Sequence, residues 1–175
     1  MRFRQMAFPS HHHPPDAYRA RPPAHAVGSL MAGSLSDRLG QQAGLASAML
    51  APLAALLFAF PAVATGPISA IPGALPATVL ALGVLIGGPE TLQGSVAPLR
   101  YAAPAKRASA IGFVNGWGSA GTVLAAPLIP AVAARVGGME HAFALLGPLA
   151  AMAGAVTFLQ WVSECAAFAS RMDAS

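Results

Sequence analysis

Hydrophobic positions in this chain fall in long unbroken runs, with polar residues gathered between the runs. Residues 39–89 carry no ionisable side chain. As one helix that segment would extend about 77 Å, against a hydrocarbon layer of about 30 Å, so it predicts two crossings. The break falls at Thr65-Gly66-Pro67-Ile68-Ser69-Ala70-Ile71-Pro72-Gly73, which is dense in helix breakers. The first span is then Gln42 to Val63. The second is Leu75 to Leu99, with Glu90 as its one charged residue. Charge-free stretches from Ala108 to Ala134 and from Ala142 to Ser163 predict a third and a fourth span. The expected fold is an all-α membrane protein with four transmembrane helices.

Upstream, Ala26 to Ser36 is apolar and rich in small residues but too short to span, and it reads as the last turns of a further helix. Residues 1–25 hold His11-His12-His13, Pro14-Pro15 and Pro22-Pro23, show no periodicity, and read as a disordered basic tail. Residues 26–163 form the membrane region, and 164–175 a second tail. The three adjacent histidines are not read as a metal site. Four arginines and one acidic residue in the first tail permit an organelle transit peptide, whereas no apolar core follows the basic start as in a secretory signal.

Composition agrees with this organisation. Charged residues make up 9% of the 175, against roughly 25% in a soluble domain, and mean hydropathy is +0.59. A soluble enzyme domain, a disordered protein and a disulfide-stapled module are excluded. Cys165 is the sole cysteine and has no partner for an intrachain disulfide. The pI near 10.2 reflects topology. Nine of the ten basic residues (Arg2, Arg4, Arg19, Arg21, Arg38, Arg100, Lys106, Arg107 and Arg171) fall on one side of a four-span chain, and only Arg135 on the other. That asymmetry puts both termini in the cytoplasm or the equivalent compartment of an organelle. No basic face or stacking platform for nucleic acid is present, no enzyme constellation or phosphate-cradling loop is found, and no cofactor is implied.

Within lipid, helices associate through small residues that let backbones approach. Gly83, Gly87 and Gly94 on the second span, with Gly112, Gly116 and Ser119 on the third, predict that these two helices pack closely. The first and fourth spans, richer in Leu, Met and Phe, are expected to face lipid. Glu90 falls near mid-membrane, where a charged carboxylate costs about 2.5–3.5 kcal/mol even on an insertion scale, so a functional role is the default. It reads as a proton-coupling group or a solute contact, or as a neutral acid bonded to the carbonyls that Pro89 frees. Gln93 flanks it. Asn115, Ser119 and Thr122, at i, i+4 and i+7, form a polar stripe that faces either a pathway or a neighbouring helix.

Gly33-Ser34-Leu35-Ser36-Asp37-Arg38-Leu39-Gly40 resembles the G-x-x-x-D-R-x-G loop motif of the major facilitator superfamily, found after the second helix and more loosely after the eighth. Gly88-Pro89, then Arg107-Ala108-Ser109-Ala110 leading into Gly112-Phe113-Val114-Asn115-Gly116-Trp117-Gly118-Ser119-Ala120-Gly121, resemble helices ten and eleven of its organophosphate:phosphate antiporter branch. The turn Gly137-Gly138-Met139-Glu140-His141-Ala142-Phe143 resembles that branch's final loop. One departure is Gly87, where the branch often has an aromatic or polar residue. The resemblance covers about residues 26 to 163. It implies helices nine to twelve of the major facilitator fold, with 26–36 as the end of helix eight. It also implies a gating role for Gly33, Asp37, Arg38 and Gly40, and places Glu90, Gln93, Asn115, Ser119 and Thr122 along a transport pathway.

The expected function is transport of a small organic solute by a partial or truncated secondary carrier. The resemblance favours organophosphates or sugar phosphates, with phosphate or a proton as coupled ion. The arginines that grip phosphate in that branch lie on its first and seventh helices, which have no counterpart here. The expected partners are the lipid bilayer, the solute, and either the missing transporter half or a second copy. Two other readings are a non-transporting membrane fragment bound to a full-length relative, and a homodimeric four-helix proton-coupled carrier.

Overall fold

The protein is represented by a computed structural model that describes residues 21–172, with side chains from 23 to 170. The first 20 residues, including the His tract, lie outside the described region. Seven α-helical segments follow: α1 (Arg21–Leu39), α2 (Gln42–Ala64), α3 (Ala74–Thr91), α4 (Ala97–Tyr101), α5 (Arg107–Val136), α6 (Met139–Ala144) and α7 (Gly147–Met172). A π-helical turn, Leu92–Val96, joins α3 to α4 without interrupting the rod. Four stretches are long and apolar enough to cross a membrane: Gln42–Ala64, Ala74–Tyr101, Pro104–Val136 and Met139–Ser170. These are the four spans expected from the charge-free runs.

Boundaries differ at both ends of the membrane region. α1 starts at Arg21, so residues 21–25, expected in the disordered tail, belong to a helix. Pro22 and Pro23 sit in its first turn, where a missing N–H costs no intrahelical bond. α7 continues to Met172, so residues 164–172 extend the last span and do not form a separate tail. The Gly33–Gly40 motif is also not a loop. Gly33, Asp37 and Arg38 are helical, and the exit occurs at Gly40, whose φ of 65° lies in the left-handed region. Its N–H donates to the Ser36 carbonyl at 2.8 Å, a glycine-terminated helix end. In the π turn the Ala97 N–H reaches back five residues, to the Leu92 carbonyl.

Packing differs from expectation more than element boundaries do. α2 is central. Its Leu50, Leu53 and Leu57 are buried against Leu82 and Leu85 of α3 and against Leu146 and Ala150. A second cluster joins Ala32 of α1, Ala46 of α2 and Leu92 of the π turn. The expectation that the first and fourth spans face lipid therefore fails for α2, and α7 also lays one face on it. Gly147 lies under the Phe58 ring, Gly154 under Leu50, and the Trp161 ring under Gly44. The close pairing expected between the second and third spans is replaced by pairing of α3 with α1. A Cβ at Gly87 would overlap the His25 carbonyl oxygen, and one at Gly83 would stand 3.0 Å from the Ala24 Cβ. α5 is nearly bare, with Ala133 its one buried residue.

Candidate functional site

α1 and α3 run parallel, since Ala24 meets Gly83 and Ala32 meets Gly88. This register brings His25 beside Glu90, whose Nε2 and Oε2 are 2.8 Å apart. Ser29, one turn after His25, donates its hydroxyl to the Gly87 carbonyl at 3.1 Å. The imidazole is thus held by a backbone contact that only glycine at position 87 permits. Glu90 lies eleven residues before Tyr101 and sixteen after Ala74, about 16 Å and 24 Å along the rod. The pair therefore occupies the middle depth of its span. Its side chains are 43% and 66% exposed, so it opens outward from the helix assembly.

One further polar residue comes near this face. The Asn115 Oδ1 stands 3.3 Å from where a Cβ at Gly94 would be, and Gly94 lies one turn beyond Glu90. α5 runs antiparallel to α3, so Ser119, one turn after Asn115, falls at about the depth of Glu90. Ser119 and Thr122 are exposed. The Thr122 hydroxyl donates to the Gly118 carbonyl of its own helix at 3.1 Å. Among the candidate pathway residues, then, Glu90 and Asn115 share one side of α3, and Ser119 and Thr122 continue the stripe away from it. Gln93 is turned elsewhere. It lines a crevice with Gln42, Ala43, Leu92, Ala97, Tyr101 and Gln160 that has no room for a water molecule. The Gln42 Oε1 is buried there without a hydrogen-bond partner.

Glycines of the third span do not meet another helix. Gly112 and Gly116 have open space where a side chain would stand. They floor an open groove of about 300 Å³ with Phe113, Trp117 and Ala120. Gly33 is likewise unopposed. Asp37 and Arg38 are exposed at the end of α1 and form no ion pair among the described residues.

Sequence reasoning missed two features. His25 was assigned to the tail, although Ala24, Gly28, Ala32 and Ser36 recur every fourth residue and mark a close-packing helix that includes it. All four are buried. The second feature is a polar network at the end of the bundle where α1 and α4 finish and α7 passes. Arg100 donates to the Gly40 carbonyl at 3.0 Å, and the Trp161 indole N–H donates to the Gln41 Oε1 at 3.1 Å. The Tyr101 hydroxyl and the Gln160 amide both donate to the Glu164 carboxylate. This network ties the α1–α2 connection, α4 and α7 together.

No protein-family model, curated protein or solved structure matches the chain. The likeness to the major facilitator superfamily thus rests on the short motifs quoted above. Among the described residues, no group of His, Cys, Asp and Glu is arranged to hold a metal ion.

Proposed function

We propose that the chain forms part of the wall of a secondary carrier for a small organic solute, with phosphate esters favoured by the motif resemblance. The observation that carries this reading is the outward-facing His25–Glu90 pair at mid-depth of an apolar span. Ionisable groups inside membrane segments face protein interiors or water-filled cavities, because lipid solvates them poorly. Asn115 adds a polar group to this side of α3 one turn beyond Glu90, and Ser119 continues its stripe along α5. Together they describe one side of an aqueous path whose other side comes from a partner surface.

No lysine or arginine lies at mid-depth of the four spans, so a bidentate grip on a phosphate group would fall to that partner. Counterflow of a radiolabelled sugar phosphate into phosphate-loaded vesicles holding the native membrane product tests this reading. Counterflow that falls at least tenfold in Asn115→Ala and Ser119→Ala together supports it. No counterflow of any phosphate ester or other small organic anion defeats it.

The bare face of α5 supports a second reading, a membrane subunit that binds a full-length carrier without moving solute itself. Co-purification with a larger membrane protein, in the absence of counterflow by the chain alone, distinguishes it.

A further inference from the structure

We propose that His25 and Glu90 form a proton-binding site in which one proton is gained and lost by the pair as a unit. As the coupling-ion site of a carrier this rests on the function proposed above; as a proton-binding pair it stands on geometry alone. A hydrogen must lie between the Nε2 and Oε2, which are 2.8 Å apart. Two proton counts satisfy that requirement. A neutral imidazole donating to a carboxylate gives the pair a net charge of −1. One more proton gives a neutral pair, as imidazolium–carboxylate or as imidazole–carboxylic acid.

The surroundings separate these two states. α2 and the 65–73 connection carry no titratable side chain, and Glu90 is the only one on α3. On α1, Asp37 and Arg38 lie twelve and thirteen residues beyond His25, about 18–20 Å along the helix. Arg21 precedes His25 by one turn and is kept in every variant below. Apolar surroundings disfavour the state with net charge, because an uncompensated ion loses its hydration there. The proton-loaded pair therefore suits a lipid-facing or occluded position, and the unloaded pair suits contact with water. Proton release is thereby linked to exposure of this face. The hold between α1 and α3 is linked too, because the same hydrogen bond bridges them.

The backbone keeps the pair assembled. Gly87 admits the α1 backbone at His25, and the Ser29 hydroxyl bonds the Gly87 carbonyl one turn below Glu90. Neither group has another side-chain partner among the described residues.

Solid-state NMR of the full chain in phosphatidylcholine vesicles, with histidine ring nitrogens and glutamate carboxyl carbons labelled, tests the proposal. The His25→Gln and Glu90→Gln difference spectra assign the two signals. In the unmodified chain, the His25 ring and the Glu90 carboxyl are expected to change over one common pH interval. Each variant is expected to abolish that joint step, as the loss of one member of an interacting pair requires. Two variants read from opposite sides keep the test decisive where one of them misfolds. Separate transitions that stay unmoved when the other group is removed overturn the proposal. A joint step in a native product that moves no solute upholds the site and defeats the carrier reading.

Discussion

Two stripes of small residues in this protein carry nearly the same signature and meet opposite ends. On α1, Ala24, Gly28, Ala32 and Ser36 recur every fourth residue. They are buried against α3 and α2, with Ala32 at 2% and Ser36 at 3% exposure. On α5, Gly112, Gly116 and Ala120 have the same spacing, yet they lie open beneath Phe113 and Trp117, the latter 67% exposed. The difference teaches what such spacing encodes. Small side chains remove the obstacle to close backbone approach, and in lipid no hydrophobic force selects the partner. Which helix arrives is set by the complementary surface. α3 has one in Gly83, Gly87 and Gly88. Nothing in the described chain offers one to α5.

The comparison breaks most readily at Gly28. A Cβ there would overlap the backbone carbonyl of Val84, which cannot rotate aside, so Gly28→Ala is expected to cost about 1–3 kcal/mol through overpacking. Unfolding in mixed detergent micelles reads that cost, and unchanged stability would show that α1 and α3 are not in close contact. Gly88→Ala is expected to cost less, under about 1.5 kcal/mol, because the Met49 thioether that it meets can turn to another rotamer. Equal losses at positions 28 and 88 would contradict a contact made backbone to backbone at one and backbone to side chain at the other.

Trp161→Phe removes the indole bond to Gln41 and is expected to cost about 0.6 kcal/mol, the average for interhelical hydrogen bonds in membranes. A loss several times larger in the same unfolding assay would mean that the polar network acts cooperatively. The smallest effect is expected at Gly116→Ala, which meets open space. In the isolated chain it should be neutral, or stabilising by up to about 1 kcal/mol through helix propensity. If the same substitution dissociates the native membrane product on size-exclusion chromatography, the α5 groove is occupied there. The contrast with α1 would then be one of partner, not of kind.

Legibility followed the range of the physics involved. The spans were readable because the absence of charge over a membrane-thick stretch is a local property, summed residue by residue. The breakers between 65 and 73 were readable for the same reason. Glu90 was conspicuous as the single charge in an apolar run. Its partner was not, since His25 sits 65 positions away in a segment whose prolines suggested disorder. Those prolines occupy the first turn of a helix, where a backbone N–H has no intrahelical partner to lose. Gln93 was grouped with Glu90 because they are near in sequence, but the π turn directs it toward Gln42 and Gln160. The Gly33–Gly40 motif suggested a loop, whereas the helix runs on to Leu39 because only Gly40 takes the left-handed conformation.

The chain's sequence alone determined the solvent it needs, the number of its crossings, the connections between them and the depth at which its one interior carboxylate falls. Each follows from transfer energies and backbone preferences that act within a few residues. Tertiary structure decided that α2 is central, that α1 is the partner of α3, that His25 reaches Glu90, and that α5 stands uncovered. Those outcomes depend on which small-residue surfaces fit one another, and helices of nearly equal apolarity do not announce that in composition or period.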